Sequence, residues 1–345
     1  MLLTDRFLSR ELGSLKSRIV MSAMTRGFAD SNKCATFEMA EYYRRRAEGG
    51  VALLLTEGII VDPAGDGYRN VPHLTNDLQA QSWTQVVDKV HAVDSKIFAQ
   101  LWHCGRISHG DFTGGIQPVS STARAADGIN RQNNLPYAVP RFLESNEIPT
   151  VIQSFIRAAA LAVGAGFDGV QLHCGHGYLI DQFLDSNIND RTDAYGGSIE
   201  NRCRFLTELV KGVIDRIGSN RVIVRLSPIR DMSGLYQWPD LMAMLEYMVP
   251  RLESIGLRML DVSCARADYF QTSGLVVRKI RPMWKHLIMG GASLVTEEAE
   301  TEVADGLLDM VTWGRLLIAN PDLPLRIESG LPISQFSPDL LGTLF

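Results

Sequence analysis

Two imidazoles and a phenol, His173, His176 and Tyr178, follow directly on an apolar run in Val170-Gln-Leu-His-Cys-Gly-His-Gly-Tyr-Leu-Ile-Asp-Gln-Phe-Leu184. Gly175 and Gly177 between them let the backbone turn tightly. Donors released together from the end of a buried strand suit holding a carbonyl oxygen and delivering a proton. The plainer alternative is a glycine-rich turn with incidental histidines.

Polar residues also interrupt strands that should be apolar. Gln100 sits inside Ile97-Phe-Ala-Gln-Leu-Trp102, and Arg225 inside Val222-Ile-Val-Arg-Leu226. An unpaired amide buried there costs roughly 1–3 kcal/mol, and an unpaired guanidinium considerably more, so each needs a partner. For Arg225 the partner could be a barrel acid. A flat heteroaromatic ligand over the strand ends would serve both: Gln100 would meet an imide edge, and Arg225 would face charge that builds up when the ring is reduced. Thr25, closing Arg18-Ile-Val-Met-Ser-Ala-Met-Thr-Arg26, could donate to a ring carbonyl, a weak signal alone. Towards the C-terminus, Met289-Gly-Gly-Ala292 and Trp313-Gly-Arg315 each follow an apolar run. Glycines at those places let backbone N–H groups approach a phosphate, and Arg315 adds charge. A phosphate there, with an imide-binding amide on the third strand, outlines FMN.

The elements that must position these residues alternate along the chain. Strands are expected over Arg18–Ala23, Val51–Ile60, Lys96–Trp102, Gly169–His173, Val222–Ser227, Met259–Ser263, His286–Gly290 and Leu308–Trp313. Several are continuous in Val, Ile and Leu, as parallel strands covered on both faces should be. Helices are expected over Phe37–Glu48, Asp77–Val93, Ile148–Ala165, Asn201–Ile217, Leu241–Ile255, Val276–Lys285, Thr296–Ala304 and Asp322–Ser329. Asp77 and Thr296 read as N-caps, and Gly218 and Gly256 lie just past C-termini. Eight such units without a dividing linker predict a single (β/α)8 TIM barrel over residues 1–345. A doubly wound sheet needs fewer strands and fits less well. The long connections Gly105–Glu147 and Cys174–Glu200 both follow strands, which places them on the C-terminal face as binding loops. The first is expected to carry a small capping hairpin.

Composition removes other classes. The net charge of −5 comes from mixed signs without a basic block, which argues against nucleic acid as a partner. No apolar run approaches the ~20 residues that span a bilayer, and the N-terminus does not read as a signal peptide. Five scattered cysteines without a Cys-x-x-Cys pair suit a reducing, cytoplasmic setting and argue against structural zinc or an iron–sulfur cluster. His73, His91 and His286 read as packing or surface residues, His103 and His109 as shaping a loop, and Cys174 as small buried filler.

The chain closely resembles the old yellow enzyme family, FMN-dependent ene-reductases on a (β/α)8 barrel. The likeness covers nearly the whole length. It rests on Arg18–Arg26, Leu55-Thr-Glu-Gly58, Gly67-Tyr-Arg-Asn70, Gln100-Leu-Trp-His-Cys-Gly-Arg106, Ala165-Gly-Phe-Asp-Gly169 and His173–Leu184. Arg191-Thr-Asp-Ala-Tyr-Gly-Gly-Ser-Ile-Glu-Asn-Arg202, Arg225-Leu-Ser-Pro228 and Gly314-Arg-Leu-Leu-Ile-Ala-Asn-Pro-Asp322 complete it. The resemblance implies non-covalent FMN, with NADPH or NADH as hydride donor in ping-pong turnover. Ala23, Met24, Thr25, Gly58, Gln100 and Arg225 would surround the flavin ring, and Gly290, Gly291, Gly314 and Arg315 its phosphate end. His173 and His176, both neutral, would hold the carbonyl oxygen of an α,β-unsaturated substrate. Tyr178 would protonate its α-carbon.

Two departures stand out. Ser22-Ala23 replaces the Ala-Pro usual in the family, and Thr343-Leu-Phe345 stands where relatives show Thr-Phe-Tyr and run on. The wall or arm over the site is therefore expected to be absent or different, with the protein a monomer or homodimer. Three rival readings remain. One is a family member acting as isomerase or as oxidase/dehydrogenase. Another is a catalytically silent flavin carrier. The third is a metal-dependent barrel hydrolase using His103, His173 and His176, for which Asp261 is the only obvious strand acid.

Overall fold

Side chains on a strand alternate between its two faces, so a continuous apolar run satisfies a barrel wall packed on both. The computed structural model, which describes residues 2–231, 234–265 and 267–345, shows eight such strands. They are β1 (Ile19–Met21), β2 (Leu53–Ile60), β3 (Lys96–Trp102), β4 (Gly169–His173), β5 (Val222–Leu226), β6 (Met259–Ser263), β7 (Leu287–Gly291) and β8 (Met310–Trp313). All pair in parallel and in chain order, and β8 closes on β1. On β3, Ile97, Ala99 and Leu101 face the helix layer, while Phe98 lies in the inner cluster. The same alternation carries Gln100 and Trp102 inwards. It also fixes the neighbours across the ladder: Gln100 stands beside Gln171, His173 beside Arg225, and Arg225 beside Asp261.

The surrounding helices are α1 (Phe37–Glu48), α2 (Asp77–His91), α3 (Ile148–Gly164), α4 (Ile199–Ile217), α5 (Leu241–Ser254), α6 (Ser273–Ile280), α7 (Thr296–Ala304) and α8 (Leu323–Ser329). Two caps differ from expectation. Asn76, not Asp77, caps α2, its side chain accepting from Gln79 N at 3.0 Å. Val295, not Thr296, precedes α7, and its N–H donates to Glu298 Oε2. In both cases the cap lies one residue earlier than expected, and the expected cap residue becomes the first residue of the helix. α6 starts earlier than Val276 and stops at Ile280, because Pro282 cannot continue it; Arg281–Met283 form a 3-10 turn instead. β1 is shorter than Arg18–Ala23, although Ser22 N still donates to Trp313 O.

The two ends of the barrel are finished differently. A hairpin of Phe7–Ser9 and Gly13–Leu15, not foreseen from the sequence, brings Leu12 and Leu15 against the inner cluster of Val20, Leu53, Leu55, Phe98, Ile223 and Met259. At the opposite end stand the long loops. The Gly105–Glu147 connection does hold an antiparallel hairpin, Ile129–Asn130 with Leu135–Pro136. A further hairpin, Ile229–Asp231 with Leu235–Gln237, follows β5. Among the described residues no helix is long and apolar enough to cross a membrane.

Candidate active site at the C-terminal mouth

The strand ends open into a cavity of about 610 Å³. Ala23, Met24, Thr25, Gln100, His173, His176, Tyr178, Arg225, Gly291, Gly314 and Arg315 all line it. Gly58 and Gly290 do not. A Cβ on Gly58 would lie 2.2 Å from the Trp102 ring, so this glycine stands behind Trp102 and makes room for it. Gly290 points away from the barrel axis, where a Cβ would meet Val262 O at 2.7 Å.

The His173–Tyr178 turn is shaped by close approach and by buried acceptors. A Cβ on Gly175 would fall 2.2 Å from Ser227 Oγ. That hydroxyl accepts from His176 N at 2.7 Å. His176 has φ +58° and Gly177 φ +77°, a left-handed pair that reverses the chain within two residues. Asp181, fully buried, accepts from Gly177 N and from Trp238 Nε1, and ion-pairs with Arg230 at 3.1 Å. The turn thus holds His173 against His176 and Tyr178, with ring centroids 5.3 and 4.9 Å away.

Burial keeps both imidazoles well below their ordinary range, helped for His173 by His176 and Arg225 and for His176 by Arg225 and Arg230, so both are neutral at pH 7. Ala265 N donates to His176 Nε2 at 3.2 Å, which leaves the proton of that ring on Nδ1. Burial and the nearby Tyr68 push the Tyr178 phenol up, so it keeps its proton.

A buried chain of polar groups runs under the cavity. Gln100 Nε2 donates to Gln171 Oε1 at 2.7 Å, and Gln171 Nε2 donates to Asp261 Oδ2 at 2.8 Å. Arg225 Nε stands 3.7 Å from the same Asp261 oxygen. Arg225 therefore has the barrel acid as a partner and still reaches the cavity wall. Gln171 was not singled out from the sequence, yet the reasoning that found Gln100 applies to it: an amide inside the apolar run Gly169–His173. Trp102, Ser263, Thr312 and Arg131 also line the cavity without a sequence signal strong enough to select them. The same holds for Phe336, Pro338 and Leu341, which supply a wall over the site from the C-terminal segment. Arg26 Nη2 holds that segment, donating to Leu340 O at 2.9 Å and Thr343 O at 2.6 Å.

The other histidines and cysteines do structural work. His73 bonds Asp66, His91 bonds Asp168, and His286 bonds Glu253. His103 Nδ1 and His109 Nδ1 accept from loop N–H groups two residues on. Cys174 is buried in the core. Among the described residues no group of three or more His, Cys, Asp or Glu could hold a metal, and His103 is not a lining residue.

The lining fits FMN on its own evidence. His173 Nδ1 and Thr312 Oγ1 are buried without a hydrogen-bond partner, an arrangement costing about 1–3 kcal/mol per group unless a ligand answers it, and Arg225 Nε has only the long ion pair to Asp261. At the β7 and β8 ends, Gly291, Gly314 and Arg315 line the cavity together. Backbone is bare there, beside Arg315, as a phosphate requires.

Residues 11–334 match the profile of the NADH:flavin oxidoreductase / NADH oxidase family. The chain belongs to that family. It is 36% identical over 327 residues to 12-oxophytodienoate reductase 1 of Oryza sativa subsp. japonica, covering 93% of this chain and 85% of that one. It is 37% identical over 326 residues to putative 12-oxophytodienoate reductase-like protein 1 of Arabidopsis thaliana, covering 93% and 99%. The structure of the old yellow enzyme homologue from Zymomonas mobilis superposes with a TM-score of 0.92 at 32% identity, covering 99% and 96%. This family member is thus an FMN-dependent oxidoreductase of the old yellow enzyme type that takes electrons from NAD(P)H and acts on small molecules.

Proposed function

We infer that the protein is an ene-reductase that saturates the C=C bond of α,β-unsaturated carbonyl compounds. The observation that carries this reading is the convergence of two neutral imidazoles and a protonated phenol on one cavity. Thr25, Gln100, Arg225, Gly291, Gly314 and Arg315 would hold FMN, with Ala23 and Met24 beside it. Bound there, FMN would supply the hydride that the substrate β-carbon receives.

The chain's own residues supply the rest. N–H groups of His173 and His176 donate to the substrate carbonyl oxygen, which withdraws charge from the alkene and stabilises the enolate. Neutral rings suit this, since their protons stay in place while the oxygen gains charge. Tyr178 gives its hydroxyl proton to the α-carbon, and the enolate electron pair forms the new C–H bond. Trp102, Phe336, Pro338 and Leu341 flank the space where that exchange takes place. NADPH or NADH reduces the enzyme first and leaves before the enone enters.

Stopped-flow measurement of the two half-reactions tests the assignment. Tyr178→Phe should slow reoxidation by 2-cyclohexenone by roughly 10²–10⁴-fold while leaving reduction by NADPH nearly intact. Equal loss in both halves would sink the role given to Tyr178.

A further inference from the structure

The Gly67-Tyr-Arg-Asn70 segment has no part in the functions described so far, yet the Tyr68 hydroxyl lies 2.7 Å from that of Tyr178. The loop carrying it is firmly held. Tyr68 N donates to Asp66 Oδ1 at 3.0 Å, and the other oxygen of this buried carboxylate takes His73 Nε2 at 2.9 Å and Lys33 Nζ at 3.2 Å. Asn130 of the capping hairpin donates to Gly67 O. The Tyr68 ring packs on Trp102 at 4.9 Å between centroids, and Trp102 meets Tyr178 edge-on at 4.8 Å. Two phenols, each packed on Trp102, thus meet hydroxyl to hydroxyl with one hydrogen bond between them.

Either oxygen could donate in that bond, but chemistry decides. A phenol has one proton, and Tyr178 cannot give it to Tyr68 and to a substrate carbon together. We propose that Tyr68 is the positioning residue for the proton step: it donates to the Tyr178 oxygen, aims the Tyr178 proton at the substrate, and restores that proton afterwards. As the Tyr178 O–H bond breaks, its electron pair stays on oxygen, and the Tyr68 hydroxyl answers the new charge with a charge-assisted hydrogen bond. The Tyr68 proton then passes to Tyr178. Tyr68, only partly buried, regains a proton from solvent water, so the cycle balances without another reactant.

The inference rests on the ene-reductase reading, and one experiment on the FMN-loaded enzyme separates the two. Tyr68→Phe, Tyr178→Phe and the double variant are compared by stopped flow with NADPH, 2-cyclohexenone and ferricyanide, the last taking electrons without carbon protonation. Tyr68→Phe keeps the ring on Trp102. It should leave the FMN spectrum, reduction by NADPH and reoxidation by ferricyanide unchanged, while slowing the enone step roughly 10–100-fold. The loss should fall on the maximal rate rather than on KM, with a larger solvent deuterium isotope effect. In the Tyr178→Phe background, Tyr68→Phe should add nothing, because it acts only through Tyr178. An enone step at full rate in Tyr68→Phe, or an undiminished extra loss in the double variant, overturns the proposal. A Tyr178→Phe enzyme with an unslowed enone step overturns the underlying reading instead.

Discussion

The two ends of this barrel use the same inward-facing positions for opposite purposes. At the N-terminal end, Leu12 and Leu15 of the hairpin close on Phe98, Ile223 and Met259, an apolar plug. Two residues further along the strands, the same inward row reads Gln100, Gln171, Arg225 and Asp261, then His173, Ser263 and Thr312. The plug stores stability in packing. The mouth spends some of it, leaving His173 Nδ1 and Thr312 Oγ1 buried for a ligand to answer. Stability and chemistry are therefore stacked along one axis and can be perturbed separately.

Replacing His173 or His176 by Ala should strike the mouth hardest among variants of the carbonyl-holding pair, with a loss of roughly 10²–10³-fold in the enone half-reaction for each donor removed. Reduction by NADPH should change little, and single-turnover absorbance at the flavin bands checks both. If either variant also lowers the melting temperature as much as a plug variant does, the division between the two ends is wrong.

Leu15→Ala should cost about 2–5 kcal/mol of stability through the cavity it leaves. Enone turnover at 25 °C should stay within about twofold of the wild-type rate, a narrow tolerance justified by the distance along the barrel between plug and mouth. Urea denaturation with steady-state assays decides it.

A pH dependence comes from Glu57, buried at the bulge of β2 behind the mouth and accepting from Arg26 N and Gly27 N. Burial pushes its carboxyl up to about 7, against 4.5 for a free side chain. Between those values the folded protein holds a proton that the unfolded chain has lost, so stability falls as pH rises from 4.5 to 7, at up to ~1.4 kcal/mol per pH unit. The depressed histidines work the other way: the unfolded chain takes up protons below about 6.5, which weakens the fold as pH falls. Subtracting the Glu57→Gln stability curve from that of the wild type cancels the histidines. A flat difference between pH 4.5 and 7 would show that Glu57 does not titrate there.

The barrel was legible because its strands are continuous apolar runs and its helices carry a different period, a local signal repeated eight times. Gln100 and Arg225 were legible as polar exceptions to a greasy pattern. Gln171 carried the same signal and was passed over, hidden beside the louder histidines. Gly58 and Gly290 were less legible, because a glycine announces close approach without saying to what: their Cβ positions face Trp102 for one and the β6 backbone for the other. The N-terminal hairpin was missed because its three-residue strands are too short for any periodicity to register.

Sequence alone determined the alternation of strand and helix, the set of donors at the strand ends, and the glycines beside Arg315. Those are properties of neighbouring residues, fixed by side-chain chemistry and spacing. Only the tertiary structure decided that Gln171 bridges Gln100 to Asp261, that the C-terminal segment walls the cavity, and that Tyr68 meets Tyr178. Each joins residues far apart in the chain, and such contacts follow from barrel register and loop packing rather than from local pattern.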